Sequence, residues 1–203
     1  MMQRLSLYLL LLCVLACSDG ADIQSSSILP AETQLLPGDV VFRRGSGFTS
    51  QVVLVAERGG AYSHVGVVVD SAGVPMIVHA VPGEPEYEND EDRVKMDSPD
   101  VFFDALRAQQ GAVYRHTDSI IARRAARAAT ALYRRNVLFD HDYDSSDTTK
   151  MYCTELVVYA YGKTSCPLSD ISSRHLHLVG FETDCVLPSE LLNCKDLKKV
   201  IAF

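Results

Sequence analysis

The stretch FDHDYDSSDTTKMYCTEL, residues 139–156, offers two kinds of chemistry: carboxylates at Asp140, Asp142 and Asp144, and a thiol at Cys153. A calcium loop of the EF-hand type needs oxygen ligands at positions 1, 3 and 5, glycine at 6 and a bidentate glutamate at 12. Counted from Asp140, position 6 is Ser145 and position 12 is Met151, so two decisive places fail. These carboxylates are expected to cap turns or to line one side of a cleft. Cys153 stands just before the apolar run ELVVYAY, in the first turn of an expected helix, where unsatisfied backbone N–H groups favour a thiolate.

A thiol nucleophile needs a base, and the base needs a group that orients it. Two β-branched runs, SHVGVVVD and VPMIVHAVP, flank the small-residue turn SAG and predict a β-hairpin that carries His64 and His79. With a turn over Asp70 to Gly73, residues 69 and 74 pair, and His64 falls directly opposite His79 on one face of the sheet. A loop with an odd number of residues would put them on opposite faces. Ser63 precedes the first histidine. Gly66 follows two residues later on the same face, where a missing side chain leaves room for substrate. The competing reading is a histidine hydrogen-bonded at a sheet edge. His116, His175 and His177 lack comparable support. HLH at 175–177 sets two imidazoles on one strand face, but no cysteine or carboxylate stands at ligand spacing, so neither zinc nor another cofactor is expected.

The elements that must position these residues follow from pattern. LLPGDVVFRR predicts a turn at Pro37–Gly38 and a short strand; Thr49 or Ser50 is placed to cap a helix that ends at Gly59 and Gly60. GEPEYENDED, residues 83–92, holds six acids without apolar periodicity and reads as a loop, either a lid or a solvated insertion. VKMD and AVYRHT predict strands, with a short helix over 100–107 between them. Ile121, Ala125, Ala128 and Leu132 recur at helical spacing behind Asp118 or Ser119 as cap, with arginines 123, 124, 127, 134 and 135 on a solvated face. A second helix runs from about Tyr152 to Gly162, and KKVIAF closes the chain as a strand. The order describes an α+β domain with helices packed on an antiparallel sheet.

Residues 1–16 contain one cation, Arg4, and the run LYLLLLCVLA, too short for a membrane span of about 20 residues and in keeping with a signal peptide. VLAC places Ala16 before Cys17 and resembles the lipobox of bacterial lipoproteins. That likeness implies lipidation of Cys17, a polar tether over 17–28 and a domain over 29–203. Ser18, rather than an aspartate, after the cysteine points to the outer membrane, facing the periplasm; ordinary secretion is the alternative. The net charge is −7 and no basic tract stands out, which argues against nucleic acid as a partner. Of the six cysteines, Cys153, Cys166, Cys185 and Cys194 lie beyond the export segment. A bridge between Cys185 and Cys194 would close a short loop, while pairings with Cys166 stay open.

In order along the chain, LLPGDVVF, SHVGVVV, VHA and FDHDYDSSDTTKMYCTELVVYAY resemble the circularly permuted papain-fold cysteine hydrolases of the NlpC superfamily, most closely the YiiX/YebB-like group. The likeness runs from about Leu36 to Gly162, with a weaker echo in LPSELLNC. It implies a permuted papain-like fold, Cys153 as nucleophile, His64 as base and His79 as the residue that orients the base. Many YiiX-like members carry glutamate there and lecithin retinol acyltransferases a histidine, which leaves the substrate class open. Backbone N–H groups at the start of the Cys153 helix are the implied oxyanion donors. Asp39 is assigned to substrate positioning or to closing the turn after Gly38, Ser63 to substrate, and Tyr152 and Glu155 to supporting the nucleophile. Three functions fit: an envelope amidase or peptidase acting on peptidoglycan peptides, an acyl hydrolase or acyltransferase acting on lipid, and a non-catalytic ligand-binding lipoprotein with Cys153 in a bridge. In the first two, Cys153 should label faster than Cys166, Cys185 and Cys194.

Overall fold

Valines on both faces of one strand set the centre of the sheet. The structure, a computed structural model, describes residues 26–178 and 181–203. The expected signal peptide, Cys17 and most of the expected tether lie outside the described residues. The strands are β1 (Val40–Gly45), β2 (His64–Ser71), β3 (Val74–Val81), β4 (Arg93–Asp97), β5 (Ala108–His116), β6 (Leu138–Phe139), β7 (Lys150–Met151), β8 (Arg174–Leu178), β9 (Phe181–Cys185) and β10 (Leu197–Ala202). The helices are α1 (Phe48–Ala56), α2 (Pro99–Phe102), α3 (Ser119–Arg134), α4 (Cys153–Gly162) and α5 (Pro188–Leu192). One sheet runs in the order β10-β5-β1-β2-β3-β4-β6-β7, and β8 pairs with β9 in a separate hairpin. This is the expected α+β architecture, with one departure from an antiparallel sheet: β6 and β7 pair in parallel.

Successive side chains of a strand face opposite ways. Val65, Val67 and Val69 therefore join Val40 and Phe42 on the face covered by Ile121, Ala125 and Leu132 of α3 and Leu156, Ala160 and Tyr161 of α4. On the other face Val41, Val68, Ile77 and Val113 pack against Phe102 and Phe103. β2 is thus buried on both sides, which is why its sequence is a continuous apolar run rather than an alternating one. Of the expected α3 stripe Ile121, Ala125 and Leu132 are buried and Ala128 half-buried, with Ala122, Ala126 and Ala129 buried beside them, and the Asp118 carboxylate accepts the N–H groups of Ile120 and Ile121 at 2.7 and 3.3 Å. Its arginines are exposed.

The hairpin differs from expectation in register. Ser71 pairs with Val74 and Val67 with Val78, so the turn is the two residues Ala72 and Gly73, with φ of +55° and +86°. Both signs suit a two-residue turn that matches strand twist. The slip moves His79 from opposite His64 to beside Gly66. Because the shift is two residues, one full side-chain period, both histidines stay on one face.

Other boundaries move as well. α1 starts at Phe48 behind Gly47 with no side-chain cap, ahead of the expected Thr49 or Ser50. The helix expected over 100–107 is only α2, capped by Ser98, because Asp104 closes a turn with Arg107 and Ala108 that leads into β5. Ser26 to Ile28, assigned to the tether, are hydrogen-bonded to the domain: Ile28 N–H to Phe103 and Ala105 N–H to Ser26. Cys153, Cys166, Cys185 and Cys194 are all free thiols, so the Cys185–Cys194 bridge does not form.

Candidate active site

Cys153 is the first residue of α4 and His64 the first of β2. α4 covers the sheet face opposite His64, so the two can meet only where β2 begins. There both line one cavity of about 500 Å³. Backbone N–H groups of Val65, Thr154 and Cys153 itself lie near the sulfur and pull its pKa down. Contact with Val65 puts the thiol beside the strand position that follows the histidine.

His64 Nε2 lies 2.9 Å from His79 Nδ1, and His79 Nε2 lies 3.1 Å from Asp97 Oδ2. An ionised carboxylate only accepts, so His79 donates from Nε2 and accepts at Nδ1. His64 then donates from Nε2, and its Nδ1 is left with a lone pair in the cavity that holds the thiol. Phe102 packs against both imidazoles, its ring 5.6 Å from that of His64 and 5.1 Å from that of His79. Gly66 fits against these side chains: a Cβ there would meet Ile77 Cγ2 at 2.7 Å and His79 Cβ at 3.1 Å. The space at Gly66 is therefore taken by Ile77 and His79, not by substrate.

Asp97 was not legible as a site residue. Alternation in RVKMD sets Val94 in the core and leaves Arg93, Lys95 and Asp97 on the face of His79, but only the β3–β4 register places Asp97 at the imidazole. Burial works to raise its carboxyl, yet the hydrogen bond from His79, with the charges of Arg107 and Arg43, holds it below the usual range. Arg43, also unforeseen, is buried, donates to the Phe102 carbonyl at 2.9 Å and pairs with Glu84. Glu84 also receives Arg107 at 3.0 Å.

The acidic loop 83–92 is exposed over most of its length, as a solvated insertion would be, but it is tied down at several points. Glu86 and Asp90 hold Arg93, Asp90 also holds the buried Lys95 at 3.1 Å, and Asp92 accepts the Gly83 N–H at 2.7 Å. The anchored loop walls the cavity with Gly83, Glu84 and Pro85.

Electrostatics revise the expected thiolate. Burial pushes the Cys153 thiol up to about 11, against the pull of its three N–H donors and Arg43. Burial also drives His64 well below the ordinary imidazole value, with Arg43 and His79 acting in the same direction. Burial therefore acts against both charged forms and favours a neutral thiol beside a neutral imidazole. Rapid labelling of Cys153 at neutral pH is accordingly no longer expected.

The remaining assigned residues divide. Ser63 lines the cavity and accepts the Gly45 N–H at 2.9 Å. Asp39 does not line it: its carboxylate accepts the Leu36 N–H at 2.8 Å and both Arg115 donors at 2.7 Å, closing the turn after Gly38. Tyr152 is buried, with its hydroxyl accepting the Val186 N–H at 3.1 Å. Glu155 accepts the Tyr152 N–H at 3.4 Å and so supports the start of α4; burial, with Asp140, Asp144 and Asp147 nearby, raises its carboxyl to about 7. Asp140 uses its oxygens on the Asp142 and Asp144 N–H groups, a turn cap as expected. His116 stacks on Tyr161 and bonds the Asp118 N–H, while exposed His175 pairs with Asp184. Among the described residues no group of three or more His, Cys, Asp or Glu is placed to hold a metal ion.

Strand imidazole before helix thiol, on a sheet covered by helices, is the papain-like arrangement in permuted chain order. A model of the permuted papain-like amidase enzymes, YaeF/YiiX, C92 family, matches residues 34–201, and the chain belongs to that family of cysteine hydrolases. No curated protein matches it. Five solved chains do. One is YiiX from Escherichia coli O157:H7, described as a metalloprotein, with a TM-score of 0.67 and 16% identity over 83% of this chain and 98% of that one. At that identity the likeness is one of fold.

Proposed function

We propose that the chain hydrolyses an amide bond of a cell-envelope substrate through an acyl-enzyme on Cys153, with His64 as general base and His79 as the residue that orients it. One observation carries this reading: the His64–His79–Asp97 chain of hydrogen bonds leaves His64 Nδ1 as the basic atom in the cavity that Cys153 lines. With a neutral resting pair, His64 takes the thiol proton as the sulfur attacks the carbonyl carbon. The N–H groups at the start of α4 stabilise the oxyanion. His64 then gives the proton to the leaving nitrogen, and water resolves the thioester.

Peptidoglycan peptides are the substrate class that the sequence resemblance supports, and lipidation at Cys17 would hold the enzyme beside them in the periplasm. A second reading, an acyl hydrolase or acyltransferase acting on lipid, is favoured by a second, largely apolar cavity that Cys153 also lines. Incubation with purified wall peptides and with acyl amides, followed by intact-mass analysis, tests the reading. The expected result is an acyl adduct on Cys153 that is absent from Cys153→Ala and His64→Ala. Turnover that survives in Cys153→Ala removes it.

A further inference from the structure

Helix α1 turns its apolar stripe outward. Phe48, Val52 and Val55 recur at i, i+4 and i+7 and share one face. That face meets solvent, at 85%, 37% and 70% exposure, while Leu54 is the buried residue of the helix. From Gly45 to Ala56 the chain carries no charged side chain. The start of α1 is tied to a fourth exposed apolar residue: the Ser46 hydroxyl donates to the Leu106 carbonyl at 2.8 Å, and the Leu106 side chain is 69% exposed. Phe48 and Leu106 line the first cavity and Val52 the second, so this rim borders both. An apolar helix face without an internal partner marks a surface that meets another apolar phase.

The chain that leads back to Cys17 joins the domain at the same place. Ser27 pairs with Asp104, and the Ser26 carbonyl accepts the Ala105 N–H at 3.0 Å, one residue before Leu106. Ser26 follows Cys17 by nine residues, a fully extended reach of about 30 Å. A domain of this length is about 40 Å across. A lipid on Cys17 can therefore seat the Leu106 side of the domain on a bilayer, whereas the opposite side stays beyond the reach of the tether.

We infer that α1 and Leu106 form a membrane-docking surface: Phe48, Val52, Val55 and Leu106 enter the boundary between headgroups and acyl chains of the bilayer that holds the Cys17 lipid. The inference rests on lipidation of Cys17 and not on the amide chemistry. Apolar burial drives the contact, because α1 has no cation to attract anionic lipid and Glu84 of the acidic loop lines the neighbouring cavity wall. The partner is accordingly a zwitterionic lipid surface. Each of Phe48 and Val55, once buried, favours the docked state about 10-fold. The tether makes docking intramolecular, so these few side chains suffice where a free domain would stay in solution. Docking brings both cavities to the level of the headgroups.

The chain contains no tryptophan, so a single substitution reports its own position without background. The full chain is expressed in a bacterial host that processes lipoproteins, the lipid on Cys17 is checked by intact mass, and the protein is reconstituted on phosphatidylcholine vesicles with plain or brominated acyl chains. Phe48→Trp, Val55→Trp and Leu106→Trp should each shift to the blue and lose about half of their emission to bromine. Val74→Trp, exposed at the other end of β2 from His64, should keep its emission. Quenching should persist in about 0.5 M salt, where charge attraction is screened. Adding Phe48→Ser and Val55→Ser should cut the quenching of the Leu106→Trp reporter about threefold or more. Unquenched emission at 48, 55 and 106 in lipidated protein on vesicles, or equal quenching at 74, overturns the docking surface while lipidation stands. An unmodified Cys17 removes the lipid anchor and the docking surface together.

Discussion

Iodoacetamide alkylation of Cys153 as a function of pH measures the resting state of the site directly. A thiol at about 11 compares with about 8.5 for free cysteine, so at pH 7.5 its thiolate fraction is roughly 300-fold smaller. A more basic thiolate is also more nucleophilic, and a Brønsted coefficient of about 0.45 returns roughly 13-fold. The net expectation is alkylation about 20-fold slower than free cysteine at pH 7.5. Its rate should climb tenfold per pH unit with no neutral plateau and level only near pH 11. The assay is a stopped alkylation series, with Cys153 quantified by peptide mass and glutathione as reference. His64→Ala should leave this profile nearly unchanged while abolishing amide turnover, because the base is needed only when a carbonyl is present. A flat, fast rate from pH 5 to 8 that vanishes in His64→Ala would refute the reasoning, since it would show a preformed thiolate–imidazolium pair.

Asp97→Asn should lower kcat about 10- to 100-fold with KM within twofold, because His79 keeps its place but loses the charge that fixes its tautomer; steady-state kinetics on an acyl amide reads this. Glu155 has a folded-state pKa of about 7, above its unfolded value, so its stabilising form is fully present below the unfolded pKa and is lost as pH rises through 7. Glu155→Gln should therefore gain about 3 kcal/mol relative to wild type on going from pH 4 to pH 8, seen in denaturant melts. Asp39→Asn breaks the Arg115 pair and should cost about 2–3 kcal/mol in the same melts, with kcat/KM unchanged because Asp39 lines neither cavity. Gly66→Ala should cost about 1–3 kcal/mol and reduce kcat more than KM, as the new methyl displaces Ile77 and His79.

The sequence by itself determined which residues could carry the chemistry and which elements hold them. The cysteine before an apolar run, the hairpin with two histidines and the cap before the long helix are local patterns, set by periods of 2 and 3.6 and by neighbours a few residues apart. Parity permitted His64 and His79 on one face, and the even, two-residue turn puts them there, two residues away from the expected register. Everything that depends on distant parts of the chain was decided by the fold. Asp97 reaches His79 only through the β3–β4 ladder, Asp39 is drawn to Arg115 rather than to the cavity, and Glu84 of the acidic loop is pinned by Arg43 of β1 and by Arg107. The state of the thiol belongs to the same group. A helix N-terminus is visible in sequence and favours the thiolate, but the loss of water around Cys153 arises from segments packed against it, and here that cost is the larger effect.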